Sequence, residues 1–566
     1  MEKFSYRCII SWARCALLIT GVSIVFPVYG QEGHVSLMPD VTLNGEYFAS
    51  EKHPLSAGYA YYGIRYGTAK RFQEPEENMD FSYLRNESRF KQGPICPQLP
   101  IPAALRTLSS RDHAPMSEDC LYLDIYVPPV STNSTRQHGQ NDNFPVLVWF
   151  HGGALQAGDK NNYNASSLAD NIAAIVVTVN YRVSVFGFLS TGDDIAKGNY
   201  GLADAKLAML WIKKNIMKFG GDPDAITLFG ESAGGRLISA MQLDPVSRSS
   251  MRAAIAFSGS ILVESYFSPD PKKDAKELAA AVGCPTQSSA ELIGCLKNMS
   301  VDKILSVAHG FKKGNPKLAP YGFVVDHVHF GEAARKALST AMREVDSFPN
   351  YITGYLREDA SLLLSVSNSD IVDPKQPINL TTIRSVVANQ FLPNGNVPVC
   401  PNANYELAQT VMDYYNMTDG DDYSSLRFKI FHLATDAAFA VPAGKEALMR
   451  AQREDAASSA SQLFRISHNP KFNDLGAFHT YDLPNIFAPH MQIPGLLLDD
   501  RVVSSIRQML HQIAHFGRMD GLAFGRQGEY MELNQSGHWE NGSFDHLSLI
   551  KFWDDVYNAP CSRSGT

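Results

Sequence analysis

Ala225-Ile226-Thr227-Leu228-Phe229-Gly230-Glu231-Ser232-Ala233-Gly234-Gly235-Arg236-Leu237-Ile238-Ser239-Ala240 joins an apolar, β-branched run to a segment compatible with a helix. The junction is the pentapeptide Gly230-Glu231-Ser232-Ala233-Gly234, so the pattern predicts strand, sharp turn and helix with Ser232 at the apex. A serine on such a turn has its hydroxyl pushed into the open, where a base can take its proton and a carbonyl can approach. The flanking glycines let the chain bend tightly without Cβ clashes. A G-x-S-x-G alone is weak evidence, and its meaning depends on whether the chain also supplies a base, an acid and an oxyanion site.

Similar apolar runs flank the pentapeptide. Phe144-Pro145-Val146-Leu147-Val148-Trp149-Phe150, Ala174-Ile175-Val176-Val177-Thr178-Val179 and Ala254-Ile255-Ala256-Phe257 read as strands. Leu202, Ala205, Met209, Ile212, Ile216 and Phe219 recur at three- and four-residue spacing, with Lys206, Lys213, Lys214 and Lys218 between them. That is an amphipathic helix against a sheet, ended by Gly220-Gly221-Asp222-Pro223. Strands alternating with helices imply an α/β fold with a large, mostly parallel central sheet flanked by helices. The stretch from Cys284 to Phe330 and the region after Thr381 read as helix-rich.

The chain has 566 residues, of which 45% are hydrophobic and 19% charged, as in an ordinary globular protein. A formal net charge of −8 argues against nucleic acid or an anionic membrane as partner. Residues 1–30 differ in kind: Lys3, Arg7 and Arg14 precede an apolar run from Ala16 to Phe26, and Val28 and Gly30 suit cleavage before Gln31. This reads as a secretory signal peptide, leaving a single domain over 31–566 with no further apolar stretch of spanning length. Removing 1–30 removes Cys8 and Cys15 and leaves six cysteines, Cys96, Cys120, Cys284, Cys295, Cys400 and Cys561, an even count that favours disulfides in a secreted chain. N-x-S/T acceptor sequences at Asn86, Asn133, Asn164, Asn298, Asn379, Asn416, Asn534 and Asn541 point to the same compartment and to a glycoprotein.

His151-Gly152-Gly153-Ala154 follows the first of these strands, where an esterase carries its oxyanion loop. The backbone N–H groups of Gly153, Ala154 and Ala233 are the candidate donors to a tetrahedral oxyanion. With this loop, the elbow, Ser117-Glu118-Asp119-Cys120-Leu121-Tyr122-Leu123, Asn180-Tyr181-Arg182 and Asn199-Tyr200-Gly201-Leu202-Ala203-Asp204, the chain resembles the type-B carboxylesterase/cholinesterase family of the α/β-hydrolase fold. The resemblance runs from Tyr61 to Trp553.

The resemblance implies the partners of Ser232. Gly354-Tyr355-Leu356-Arg357-Glu358-Asp359-Ala360-Ser361 is similar to the family's acid segment, with Asp359 on the acid position and Glu358 as the runner-up. Gly476-Ala477-Phe478-His479-Thr480-Tyr481-Asp482-Leu483 resembles the histidine segment, which makes His479 the base; Asp482 stands where the family has Glu. The same likeness pairs Cys96 with Cys120 and Cys284 with Cys295. At the sites of the cholinesterases' third bridge stand Val441 and Ile550, so that bridge is absent, and Cys400 and Cys561 are left to pair with each other or between chains. Ser110 occupies the choline-binding aromatic position, and Leu362 and Leu363 replace the aromatics past the acid. A quaternary ammonium would lack cation–π partners, so the pattern is carboxylesterase-like rather than cholinesterase-like and favours a small, neutral, apolar ester.

The expected protein is a secreted serine carboxylesterase needing no metal or organic cofactor. His327 and His329 share a strand face by spacing but have no third ligand nearby, and are assigned packing or surface roles. Arg236 is unusual for the family and is expected to form an ion pair beneath the site. The alternatives are a catalytically silent, cholinesterase-like adhesion or binding protein, and a lipase or hormone esterase. Related silent proteins lack a triad member, whereas this chain has all three. Juvenile hormone esterases usually carry Gln where Glu231 stands.

Overall fold

In the computed structural model, the described residues are 41–43, 46–48, 51–52, 56–80, 92–99, 114–129, 143–308, 321–324, 349–367, 379–392, 403–452, 461–470, 475–493, 495–520 and 528–557. All lie in one compact unit, Asp40–Thr566. Its centre is an eleven-stranded sheet. In chain order the strands are β1 (Glu51–Lys52), β2 (Tyr59–Arg65), β3 (Tyr122–Val127), β4 (Phe144–Phe150), β5 (Ile175–Val179), β6 (Gly221–Glu231), β7 (Ala253–Phe257), β8 (Asn350–Leu356), β9 (Ser461–Ile466), β10 (Met531–Leu533) and β11 (Trp539–Asn541). In space they run β11-β10-β9-β8-β7-β6-β4-β5-β3-β2-β1. The neighbours from β10 through to β5 are parallel, and both margins are antiparallel.

The expected α/β-hydrolase architecture is thus present. Every residue of β4, β5 and β7 is buried, which is why these strands read as continuous apolar runs rather than alternating ones. Helix α1 (Tyr200–Asn215) continues through a 3-10 turn, Ile216–Phe219, and stops at Gly220, whose φ of 82° suits glycine. Its six apolar positions foreseen from spacing are all buried. Helix α2 (Ala233–Met241) leaves the elbow and is buried along its whole length. Helix α3 (Tyr423–Thr435) runs through a π-helical turn, Asp436–Ala440, into α4 (Val441–Ala451). Pro442 has no N–H for the helical ladder, and the wider turn sits just before it. Helix α5 (Asp500–Phe516) buries Val502, Ile506, Met509, Leu510 and Ile513 in one cluster with Leu147, Trp149, Phe229, Ile255 and Ile352 of the sheet. Helix α6 (His546–Tyr557) closes the described chain.

The sequence motifs away from the elbow hold the scaffold. Arg182 and Asp204 form a fully buried bidentate pair, Nε to Oδ2 at 2.7 Å and Nη2 to Oδ1 at 2.7 Å, tying the turn after β5 to α1. Asn180 donates to the carbonyls of Pro94 and Cys120, and accepts from the Lys160 N–H. Glu118 and Asp119 pair with Arg71 and Arg65.

Some elements depart from the expectation. The elbow strand extends from Gly221 to Glu231, with a register irregularity between Gly221 and Ile226. The region after Thr381 is helix-rich as foreseen, yet it also supplies β9, β10 and β11. Disulfides Cys96–Cys120 and Cys284–Cys295 are formed. Val441 and Ile550 are both buried, and a Cβ on Gly444 would lie 3.1 Å from Ile550 Cδ1, so α4 and α6 pack closely without a bridge. Cys400, Cys561, Ser110, His327 and His329 lie outside the described residues.

Candidate active site

Strand β4 has β5 on one side and β6 on the other, so the chain order reverses there. The crevice beyond the carboxyl ends of such strands is where open α/β sheets bind ligands. The loop after β4 begins at His151 and the elbow after β6 at Glu231, which puts both sequence-predicted features at this crevice.

Ser232 has φ 56° and ψ −118°, a conformation that costs an ordinary residue energy and is found where structure overrides it. Two hydrogen bonds and the close approach of neighbouring backbones hold it. The Ser232 N–H donates to Phe257 O at 2.8 Å, Ser232 O accepts from Arg236 N–H at 3.0 Å, and glycines let the backbones close in. A Cβ on Gly234 would lie 1.9 Å from Phe150 O, one on Gly230 2.7 Å from Gly234 C, and one on Gly152 3.1 Å from Ser232 Cβ. The elbow therefore packs against the His-Gly-Gly loop. In that loop Gly153, Ala154 and Leu155 all have positive φ. Among the described residues the N–H groups of Gly153, Ala154 and Ala233 donate to no backbone or side-chain acceptor. They remain available to an incoming oxygen.

His479 Nδ1 lies 2.6 Å from Asp359 Oδ1. The other carboxyl oxygen, Asp359 Oδ2, accepts from Ser258 Oγ at 2.5 Å and from the Leu356 N–H at 2.9 Å, so the aspartate is fixed on both sides. Glu358 turns elsewhere, to the Ala477 N–H at 2.9 Å, Arg357 at 2.8 Å and His432 at 3.5 Å. Asp359, rather than Glu358, is the carboxylate that meets the histidine. Phe439, from the π-helical turn, packs on the His479 ring at 5.1 Å.

Glu231 is a site residue that the sequence treated only as part of the pentapeptide. Its Oε1 lies 3.1 Å from His479 Nε2, so the imidazole is flanked by a carboxyl on each nitrogen. Burial disfavours the charged ring, but Glu231 and Asp359 outweigh it and His479 holds its proton above the ordinary imidazole range. Complete burial pushes the Glu231 carboxyl up to about 7 against the pull of His479; Asp359 adds to the rise and Arg236 opposes it. Asp482, three residues past His479, is buried, and among the described residues neither carboxyl oxygen has a hydrogen-bond partner. Burial first, then the Glu231 and Asp359 charges, drive its pKa well above the usual carboxylate range. Ser258 and Glu231 could have been found only through space, since one follows β7 and the other ends β6, and the sequence does not mark either strand end as adjacent to His479.

Arg236 is buried, but among the described residues the expected ion pair does not form: its Nε and Nη1 have no hydrogen-bond partner, and its Cζ lies 3.8 Å over the Tyr266 ring. The sequence assumed a nearby carboxylate; the side chain instead stacks on an aromatic face. Leu362 and Leu363 are half-buried on the helix that follows Asp359. Among the described residues no group of three or more His, Cys, Asp or Glu is arranged to hold a metal, and no helix is long and apolar enough to cross a membrane.

Comparison with known proteins gives the family of the chain. The sequence profile described as the Carboxylesterase family matches residues 35–549. The chain is 30% identical to a bile salt-activated lipase of Bos taurus over 532 residues, covering 88% of this chain and 83% of that protein. It is 29% identical to a liver carboxylesterase of Sus scrofa over 419 residues, 71% and 69% of the two chains. Over a shorter span of 242 residues, 42% of each chain, it is 36% identical to liver carboxylesterase B-1 of Rattus norvegicus.

Proposed function

The chain belongs to the carboxylesterase family, and on that basis we propose that it is a carboxylic ester hydrolase acting through an acyl-enzyme on Ser232. The observation that carries this reading is the hold of Asp359 on His479 Nδ1 at 2.6 Å, which leaves Nε2 3.1 Å from Oε1 of Glu231, the residue next to Ser232. Nε2 takes the Ser232 proton as Oγ attacks the ester carbonyl, then returns it to the leaving alcohol. Water enters by the same route, losing a proton to Nε2 as it attacks the acyl carbonyl, and Ser232 Oγ is released. Asp359 fixes the tautomer and stabilises the imidazolium. The N–H groups of Gly153, Ala154 and Ala233 receive the oxyanion; such donors are worth roughly 3–4 kcal/mol each in the transition state. None of these steps calls on a metal or an organic cofactor. Ser232→Ala should abolish hydrolysis of short acyl aryl esters while leaving folding intact; activity retained by a pure variant would overturn the mechanism.

The lack of an aromatic cation partner at Leu362 and Leu363 favours a small ester with a neutral, apolar alcohol. A lipase is the second reading, favoured by the 30% identity to a protein called bile salt-activated lipase. A chain-length series of acyl esters, choline esters included, separates the two: a lipase gains rate with long acyl chains, a carboxylesterase with short ones.

Residues 1–30 act as a cleaved signal, and the chain is secreted as a glycoprotein whose single hydrolase domain covers 31–566. Both disulfides support an oxidising compartment. Asn298, Asn379, Asn416 and Asn541 are exposed, and Asn164 and Asn534 half-exposed, as glycan acceptors. Mass spectrometry of the protein from culture medium, before and after glycan removal, should give an N-terminus at Gln31; a retained Met1 overturns the leader.

A further inference from the structure

Asp359 and His479 belong to segments 120 residues apart, so a contact of 2.6 Å between them needs support that reaches both. One helix face supplies it. His432, Thr435 and Phe439 recur at spacings of four and three along α3 and the π-helical turn after it, which sets them on one side. His432 lies 3.5 Å from Glu358, Thr435 Oγ1 accepts from the Ala360 N–H at 3.0 Å, and the Phe439 ring packs on the His479 ring at 5.1 Å. The residues before and after Asp359, and the imidazole it meets, are all touched by this face.

Thr435 makes the most specific of the three contacts. It and Ala360 are both buried. Ala360 is the first residue of the helix Ala360–Ser367, and an N–H there has no acceptor within its own helix. The Thr435 hydroxyl provides one from a different helix. A buried amide left unmet is unfavourable, so this bond holds the first turn of Ala360–Ser367 where it stands. Asp359 is the residue directly before that turn, and the aim of its carboxylate at Nδ1 follows the placement of Ala360. The supporting segment is itself anchored. Asp436, next to Thr435, accepts from the Tyr415 O–H at 2.7 Å, and Tyr415 Oη accepts from the Trp553 Nε1–H of α6 at 3.2 Å.

We propose that Thr435 is a positioning residue for the hydrolysis: through the Ala360 N–H it fixes the chain at Asp359, and so keeps carboxylate and imidazole aligned while His479 moves the proton. This rests on the serine-hydrolase assignment and deepens it. Thr435 acts through Asp359 and not on the substrate, so its loss falls on the chemical step rather than on binding. It also reaches the titration of His479. Glu231, Asp359 and Asp482 are the carboxyl groups whose charges raise that imidazole, and a loosened Asp359 raises it less. The base is then neutral at lower pH, and the acid limb of kcat/KM moves down.

The test compares Thr435→Val, which keeps the shape and loses the acceptor, with Thr435→Ser, which keeps the acceptor. On 4-nitrophenyl butyrate, Thr435→Val should lower kcat about tenfold, the scale of one lost hydrogen bond, with KM within about twofold. Its acid limb should move to lower pH. Thr435→Ser should recover most of kcat and return the limb to its place. A Thr435→Val protein with a lower Tm but unchanged kcat and limb overturns the proposal, because Thr435 then serves stability alone. A raised KM at constant kcat overturns it by placing the effect on binding, and equal losses from valine and serine overturn it by dismissing the hydroxyl. Where valine prevents folding, Thr435→Ala removes the same acceptor with a good helix former, and its comparison with serine decides. A readout without turnover is the Nδ1 proton between Asp359 and His479. It should give a far-downfield proton NMR line in the unmodified protein and in Thr435→Ser, and move upfield in Thr435→Val. That shift in a protein that hydrolyses no ester would sink the hydrolase assignment and leave the hold of Thr435 on the pair standing. Hydrolysis with an unmoved line does the reverse.

Discussion

At the scale of single residues, two adjacent carboxylates have been given different work by their neighbours. Asp359 meets His479 Nδ1 at 2.6 Å, while Glu358 braces the backbone at Ala477. Asp359→Asn should therefore lower kcat by about 10³- to 10⁴-fold, since the amide favours the wrong tautomer of the ring. Glu358→Gln keeps an acceptor for the Ala477 N–H and should cost less than about tenfold by the same assay; the reverse order would move the acid by one residue. The second carboxyl at the ring, Glu231, governs pH. His479 acts as a base only when neutral, and Glu231 and Asp359 hold its proton above the ordinary range, so the acid limb of kcat/KM should lie above the usual imidazole value. Glu231→Gln removes one of the two charges that raise it, and the limb should shift to lower pH. Because Glu231 is itself raised to about 7, the unmodified profile should show two closely spaced steps belonging to the pair. A pH–rate profile unmoved by the substitution, or moved upwards, contradicts this electrostatic account. Ser232, His479 and Asp359 were legible because each sits in a local pattern. Glu231, Ser258 and Asp482 were not, because their roles come from what folding brings beside them.

At the scale of elements, the elbow is a junction of two backbones that only glycine permits. A Cβ on Gly234 would lie 1.9 Å from Phe150 O, so Gly234→Ala must lift α2 away from β4 and with it Ser232. The substitution should destabilise by about 3 kcal/mol or more and remove most activity, read by denaturant melts and turnover together. Gly220 is the contrast: its φ is 82° but a Cβ there meets nothing within 4 Å, so Gly220→Ala should cost only about 1 kcal/mol and leave turnover within twofold. Equal losses from the two would show that strain, not the close approach to Phe150, dominates at the elbow. The same physics explains which elements the sequence revealed. Strands β4, β5 and β7 and the buried end of β6 are apolar because both sheet faces are covered. In β9 that signal is diluted by Gln462 and Arg465, the first donating to Met519 O at 2.8 Å and the second pairing with Glu532 of β10 at 2.9 Å. Strands β10 and β11 have three residues each, too few for a period to show.

At the scale of the whole molecule, the site is assembled from segments far apart in the chain: His479 reaches Asp359 across 120 residues, and Ser258 reaches it across 101. Such pairings have no local trace: the first could be placed only by likeness to a known arrangement, and the second only once the chain is folded. The His151–Ala154 loop, the proposed oxyanion loop, is braced in the same long-range way. Gln98, two residues past Cys96, accepts from the Gly158 N–H at 3.0 Å and donates to Gly158 O at 3.1 Å, while Leu99 N–H donates to Gln156 O at 3.3 Å. The Cys96–Cys120 bond anchors this brace, and Asn180 ties the Cys120 carbonyl to the turn after β5. The Cys284–Cys295 bond instead joins the end of one peripheral helix region to the helix Ser289–Asn298. The bonds close loops of 24 and 11 residues, so loop entropy gives them similar stabilising effects of about 3 kcal/mol each. Their effects on catalysis should differ. Well below the melting temperature, the double substitution Cys96→Ser with Cys120→Ser should lower kcat about tenfold, as the oxyanion donors lose part of their alignment. Cys284→Ser with Cys295→Ser should lower the Tm comparably and leave kcat within twofold. If both pairs lower Tm and neither changes kcat, the brace through Gln98 does not position the oxyanion loop, and the Gly153 and Ala154 donors are held by their own turn alone.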